Sequence, residues 1–248
     1  MKTEMGKADL HLHTNCSDGF NTPQEVVDRA LRVGLDIVAV TDHNLFKPSL
    51  EAQNYAIKQK LPLKVILGEE ISSKDGEIIG LFLKRRIKPF LTAEETIQKI
   101  HQQDGLAVIA HPMRIFLGFS LWRRKIEELA EKKLIDGLEI FNFWDHNPWH
   151  FSKRSQLAKK WSLAKIGGSD SHSISTLGTI WTSFPGKTEK DLYRAIKSRQ
   201  TKAVTQANIF LKTKEHLRHT CLRLTRKTGH YENLPSWEKF KHVLKLSL

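Results

Sequence analysis

In the stretch ADLHLHTNCSDGF, residues 8–20, two histidines flank a leucine and an aspartate stands five positions after the second. On an extended strand His11 and His13 point to the same side and suffice to grip one metal ion between two imidazoles. An isolated H-x-H is weak, and Asp18 ahead of Gly19 has the form of an ordinary turn. The pair gains meaning from residues further along the chain: VTDHN brings Asp42 and His43, LGEEIS brings Glu69 and Glu70, and VIAHP brings His111. GLEIFN then offers Glu139 and Asn142, and GGSDSH offers Asp170 and His172. Each has a bland alternative: Asp42 as a helix cap, Glu70 as a solvated carboxylate, His111 as a satisfied loop histidine, Ser169-Asp170-Ser171 as a cap. Their shared feature is position, each at or just after the end of a short apolar run.

Those runs define the elements that must position them. Candidate strands are 9–13, 37–41, 65–70, 78–83, 107–111, 137–141, 164–168 and 179–184. Between most of them lie amphipathic segments with helix-start signals. In TPQEVVDRALRVG, Thr22 is the N-cap, Pro23 takes the first helical position, Glu25 closes a capping box and Gly34 is the stop. Thr92 with Glu95 and Thr188 with Asp191 repeat the signal. Alternation of this kind predicts an α/β fold with a parallel sheet, and seven or eight units in about 200 residues favour a closed β/α barrel over an open sheet. In such a barrel the C-terminal ends of all strands share one face, so the scattered polar residues converge there.

Five histidines with three carboxylates and no thiolate suit Zn²⁺, Mn²⁺ or Fe²⁺ better than Mg²⁺ or Ca²⁺, which prefer oxygen shells. Eight such ligands exceed one four-coordinate ion, so at least two ions are implied. Adjacent metals serve displacement at phosphorus, one activating a water and another neutralising phosphoryl oxygens. They serve amide or ester hydrolysis as well.

Lys and Arg outnumber Asp and Glu by 40 to 27, a net charge of +13 with histidines neutral. That field concentrates anions, whether phosphorylated substrates, nucleic acid or acidic membrane surfaces. Cys16 and Cys221 are far apart and form no C-x-x-C, which argues against a disulfide partner or a thiolate zinc site. No apolar run of about 18 residues occurs, and the stretch 1–7 is too polar for a signal peptide; the expectation is a cytoplasmic protein without membrane contact. From Gln206 the alternation fades into a basic, aromatic-poor segment. The expected organisation is a barrel over 1–205 and a basic, partly helical C-terminal extension over 206–248.

As a set, HLHTNCSDG, TDHN, GEE, AHP and GGSDSH resemble the PHP family, the polymerase and histidinol phosphatase superfamily of metal-dependent phosphoesterases, in that family's order and over roughly residues 8–185. The resemblance implies a distorted seven-stranded, TIM-like β/α barrel with a two- or three-metal centre. It implies that His11 and His13 hold one metal with Asp170, that Glu70 bridges to a neighbour, that Asp18, His43 and His172 hold a second, and that His111 joins Glu70 at a third. Many members place a histidine soon after the bridging glutamate, whereas KDGEIIGLF offers Glu77, read as either an oxygen ligand or an exposed turn residue. His11, His13, His43, Glu70, Asp170 and His172 are the expected catalytic set.

Short standalone members often carry an asparagine after the sixth strand with an arginine close by. Here EIFNFWDHN keeps Asn142 and has Phe143 beside it. Arg114, three residues after His111, and Arg154 join Asn142 as the expected substrate contacts, with Arg123, Arg124 and Lys125 as further cations. Phe116, Phe119, Trp122, Phe143, Trp144 and Trp149 offer a base-stacking wall, although packing is the commoner use of such residues. The expected function is hydrolysis of phosphate esters, of a nucleotide or short oligonucleotide, by metal-activated hydroxide with Mn, Zn or Fe. The alternative is a non-catalytic nucleic-acid-binding or regulatory module with structural metals, contacting nucleic acid through its basic surface.

Overall fold

The computed structural model describes residues 4–113, 120–145, 147–207 and 213. Strands and helices alternate along it: β1 (Met5–Asp9), α1 (Pro23–Arg32), β2 (Ile37–Val40), α2 (Lys47–Lys58), β3 (Lys64–Ser73), β4 (Gly76–Leu81), α3 (Ala93–His101) and β5 (Leu106–Ile109). Next come α4 (Arg123–Glu131), β6 (Gly137–Phe141), α5 (Pro148–Lys160), β7 (Ala164–Gly167), β8 (Ile180–Pro185), α6 (Glu189–Lys197) and β9 (Lys202–Thr205).

The helices start where their side chains satisfy the free N–H groups of the first turn. Thr22 Oγ1 accepts from Glu25 N at 3.2 Å while the Glu25 carboxylate accepts from Thr22 N at 2.8 Å. The same reciprocal boxes form at Thr92/Glu95 and Thr188/Asp191. On α1 the buried positions Pro23, Val26, Val27 and Ala30 recur at the helical period, so one stripe faces the sheet. Gly34 comes after the C-cap Val33 with φ +74°, the left-handed conformation that ends many helices.

The nine strands form one sheet in the order β7-β6-β5-β4-β3-β2-β1-β8-β9. Pairs β1–β2, β2–β3, β5–β6 and β6–β7 are parallel, but β4 is antiparallel to both neighbours and β8 is antiparallel to β1 and β9. The expected parallel sheet and the seven strands implied by the resemblance are therefore corrected to a mixed sheet of nine described strands. Only Lys74 and Asp75 separate β3 from β4, too few for the crossover a parallel pair needs, so the chain must reverse. β9 escapes the sequence reading because none of its residues is buried. β1 begins and ends four residues earlier than expected: MGKA is no apolar run, yet it is extended by its ladder to β8.

The sheet is a nearly closed barrel. Past the end of β1, Asp170 N donates to His11 O at 2.7 Å and His13 N to Ser171 O at 2.8 Å, bringing the first and seventh strand ends together. Lower on the same seam, Thr182 of β8 bonds Gly167 of β7 through its hydroxyl, accepting from N and donating to O, each at 3.0 Å. A Cβ on Gly167 would lie 2.6 Å from Trp181 O, so this approach requires glycine. Along β2 the two faces separate: Ile37 and Ala39 pack with Leu10, Ile66, Val108 and Ile166, whereas Val38 and Val40 pack against the buried faces of α1 and α2.

The chain divides into Met1–Ile209 and Phe210–Leu248. Apart from Gln206, Ala207 and Thr213, the expected basic extension lies outside the described residues. Among the described residues no helix is long and apolar enough to cross a membrane.

Candidate metal centre

Eight of the nine expected metal ligands come from the ends of parallel strands or just beyond: His11, His13 and Asp18 after β1, His43 after β2, Glu70 in β3, His111 after β5, and Asp170 and His172 after β7. The ninth, Glu77, stands near the start of β4, which the reversal of β4 puts at the same end. There it is buried at 6% exposure, so it is no solvated turn residue. Gly19 lets the Asp18 turn fold onto its own strand: its N–H donates to Thr14 O at 2.9 Å, and a Cβ would meet His13 O at 2.5 Å.

Glu70 lies at the middle. Its Oε2 is 3.2 Å from His11 Nε2, 3.3 Å from His13 Nε2 and 3.1 Å from His43 Nδ1, and its Oε1 is 3.1 Å from His111 Nε2. Asp170 Oδ1 lies 3.2 Å from His13 Nε2 and 3.6 Å from His11 Nε2. On one flank Asp18 faces His172 Nε2 at 3.0 Å, with His13 and His43 just beyond. On the other, Glu77 bridges His43 Nδ1 at 3.2 Å and His111 Nε2 at 3.3 Å. Four overlapping groups result, each with donor atoms within 4.8 Å of one another: His13/Asp18/His43/His172, His11/His13/Glu70, His11/His111/Asp170 and His43/Glu70/Glu77.

Burial disfavours charge on all of these groups, and they offset it in one another. His11 and His43 are desolvated, yet Glu70 beside each, with Asp170 near His11 and Glu77 near His43, holds them well above the usual histidine range. His111 is raised to about 9 against its burial by hydrogen bonds to Glu70 and Glu77. Glu70, Asp18 and Asp170 lie well below the carboxylate range for the converse reason, burial being outweighed by the histidines. His13 goes the other way, lowered by burial and by its neighbours His172 and His43.

The donor set fits divalent cations. Among the described residues Glu70 Oε2 and His13 Nδ1 are buried without a hydrogen-bond partner, which leaves their lone pairs for a cation. Mixed imidazole and carboxylate donors are what Zn²⁺, Mn²⁺ and Fe²⁺ take.

Three further buried carboxylates, none in the expected site, organise the ligand loops. Asp42 is not a helix cap; α2 has Phe46 at that position without a side-chain bond. Instead Asp42 Oδ1 accepts from Thr14 N at 2.9 Å and Ser17 N at 3.2 Å, pinning the loop that carries Asp18. Asp9 accepts from Ser169 N at 2.9 Å and Gly178 N at 3.0 Å, bracketing the Asp170–His172 loop. Glu139 Oε1 faces His11 Nδ1 at 3.0 Å. An acid within an apolar run is the available signal, but it does not separate a support from a ligand. Glu69 is a case in point: outside the ligand groups, it accepts from Ile87 N at 3.2 Å, and burial pushes it to about 7.

The expected substrate contacts fare differently. Arg154 is wholly buried, its guanidinium on Asp145, donating from Nε to Pro112 O at 2.8 Å; a buried guanidinium needs such acceptors, and here it ties loops together instead of meeting solvent. Asn142 is likewise buried, its amide donating to Glu139 Oε2 at 3.1 Å and Asp170 Oδ2 at 3.0 Å. Both side chains tie together the loops around the centre. Arg114, with Phe116 and Phe119, lies outside the described residues. Arg123 pairs with Glu127 and Lys125 with Glu94, while Arg124 is exposed. Of the aromatic set, Phe143 is core and Trp122 and Trp149 are exposed. Trp144 borders the centre, donating from Nε1 to Asp170 O at 2.7 Å with its ring edge-on to His172 at 5.7 Å.

Comparison with known proteins bears on family and fold. The PHP domain profile matches residues 9–115, and a PHP-associated profile matches 150–201. An uncharacterised protein of Methanocaldococcus jannaschii is 35% identical over 147 residues, 55% of this chain and 81% of that protein. The 3′,5′-nucleoside bisphosphate phosphatase of Chromobacterium violaceum is 37% identical over 81 residues, 31% of this chain and 28% of that protein. A solved two-domain protein of Bacteroides vulgatus, described as containing a PHP-like metal-dependent phosphoesterase, superposes with a TM-score of 0.69 at 21% identity, covering 82% of this chain and 65% of that one. At that identity it speaks for the fold.

Proposed function

This chain belongs to the PHP domain family of metal-dependent phosphoesterases, and we propose that it hydrolyses phosphate esters of nucleotides or short oligonucleotides. The observation that carries the reading is the convergence of nine imidazole and carboxylate side chains, from strand ends distant in sequence, into overlapping groups. His11, His13, Glu70 and Asp170 would hold one divalent cation, Asp18, His43 and His172 beside His13 a second, and His111, Glu70, Glu77 and His43 a third. Such ions, Mn²⁺, Zn²⁺ or Fe²⁺, lower the pKa of a water and offset charge on phosphoryl oxygens.

The chain's own residues do the rest. The Asp170 carbonyl, 2.9 Å from His172 Nδ1, orients that imidazole, Trp144 walls that side of the centre, and Asn142 with Arg154 keeps the surrounding loops in place. A net charge of +13 draws polyanionic substrates toward the molecule. The nucleotide preference rests on that charge and on likeness to the nucleoside bisphosphate phosphatase. Arg114, close behind His111 in sequence, is the proposed grip on the non-reacting phosphate.

The test is turnover by the Mn²⁺-loaded protein of an aryl phosphate, nucleoside 3′,5′-bisphosphates and short 5′-phosphorylated RNA. Activity is expected on the nucleotides, and H43A is expected to lower it at least about 100-fold, the scale on which disturbed metal sites lose activity. Failure on all substrates with metal confirmed bound overturns the proposal. Metal-independent, salt-sensitive RNA binding in its place would favour the binding-module alternative.

A further inference from the structure

We infer that Glu139 is a positioning residue of the metal centre, fixing the His11 imidazole with its proton on Nδ1 so that Nε2 faces the cation. The inference rests on the metal reading of the site proposed above. Glu139 lies in the middle of β6 with no exposed surface. Its Oε1 stands 3.0 Å from His11 Nδ1, and its Oε2 accepts from His111 N at 2.7 Å and Asn142 Nδ2 at 3.1 Å. Asn142 passes the connection on to Asp170 Oδ2 at 3.0 Å. One carboxylate of β6 thus joins ligand-bearing segments that lie beyond β1, β5 and β7.

The Glu139 carboxylate already accepts two N–H groups at its other oxygen, and with the acceptor's part at this contact too, the hydrogen at 3.0 Å belongs to His11 Nδ1. A neutral imidazole then has its lone pair on Nε2, the atom that faces Glu70 Oε2 and Asp170 Oδ1. The fit is close. A Cβ on Gly168 would lie 2.6 Å from Glu139 Oε1 and 2.5 Å from His11 Cβ, so the backbone leaves the pair little room for another arrangement. Ligand histidines commonly have their second nitrogen held by such a carboxylate, which fixes the tautomer and raises basicity.

E139Q separates this role from packing, because it keeps the shape and removes the charge. His111 N still requires an acceptor, so the glutamine oxygen turns to it and the amide N–H₂ turns to His11 Nδ1. That reverses the His11 tautomer and puts a proton on Nε2. Full-length wild type and E139Q would be titrated with Zn²⁺ by competition against a chromophoric chelator, with circular dichroism as the fold control. We expect weaker Zn²⁺ affinity in E139Q, by about 10- to 100-fold. Histidine ¹⁵N NMR of the Zn²⁺-loaded wild type is expected to show His11 metallated at Nε2 and protonated at Nδ1, which tests the inference even if E139Q does not fold. Equal affinity in a folded E139Q, or wild-type His11 metallated at Nδ1, overturns the inference and leaves the metal reading standing. No Zn²⁺ uptake by the wild type overturns both.

Discussion

The two ends of the barrel each hold a histidine against a carboxylate in similar geometry, His11 with Glu139 at 3.0 Å and His101 with Asp136 at 2.8 Å. At the His101 end the remaining valences are conventionally filled: Asp136 also accepts from Ala107 N at 2.9 Å and pairs with Lys197 at 3.0 Å. Both side chains there are partly in water, His101 at 33% and Lys197 at 53% exposure. At the His11 end the next atom along, Nε2, points into a buried crowd of further imidazoles and carboxylates. Among the described residues Glu70 and Glu77 have only histidines as ion-pair partners. A histidine–carboxylate contact therefore does not mark a site. The mark is a second nitrogen directed into a buried cluster of further imidazole and carboxylate donors.

The largest test of that difference is at the ligand end. G168A adds a Cβ within 3 Å of both Glu139 Oε1 and His11 Cβ, and something must shift. Overpacking of this kind costs about 1–3 kcal/mol. A displacement of about 1 Å at a reacting centre costs on the order of 100-fold in rate. We expect G168A to lower phosphoesterase kcat/KM by about 100-fold, with weakened metal binding. Wild-type kinetics in G168A would show that the close contact at His11 is idle.

Removing the equivalent carboxylate at the other end should act on stability alone. D136A leaves Ala107 N–H without its acceptor, a loss of about 2 kcal/mol. The shares of His101 and Lys197 are discounted because solvent screens them. The expected fall in Tm is about 4–8 °C, with kcat/KM of the folded protein unchanged. A loss of activity in D136A comparable to that in G168A would erase the distinction between the ends.

This contrast also sets what the sequence discloses. Most of the proposed ligands are legible because they sit at or soon after strand ends, and strand ends derive from apolar runs that local propensity already dictates. The helix starts at Thr22, Thr92 and Thr188 are legible for the same reason, since a capping box lies within four residues. Glu77 is ambiguous in sequence because its place depends on the direction of β4, which the two-residue link after Ser73 decides and apolar patterning does not. Asp9, Asp42 and Glu139 are opaque as supports, because most of their partners lie 25 or more residues away and several are backbone N–H groups, which no side-chain motif records. The burial of Arg154 is hidden for a related reason. A buried arginine has the same letter as an exposed one, and contacts such as those to Pro112 O and Asp145 reveal it as internal.

The smallest effect comes from a pair with neither burial nor a vacant valence. Glu94 of α3 bonds Lys125 at 2.9 Å and Lys132 at 3.3 Å, and these hydrogen bonds hold its carboxyl down at about 2 against a usual 4.5. A depressed folded-state pKa gives stability that is present above the unfolded value and lost as pH falls through the folded one. The Glu94 contribution is thus full above about 4.5 and gone below about 2. E94Q should lower Tm by only about 1–2 °C near neutral pH, the scale of a partly solvated pair. The difference should shrink with added salt and close as the pH is taken from 4.5 toward 2. A difference that persists unchanged across that window would mean that Glu94 acts by packing. Separating the two barrel ends by charge would then require a pH titration at Asp136 itself.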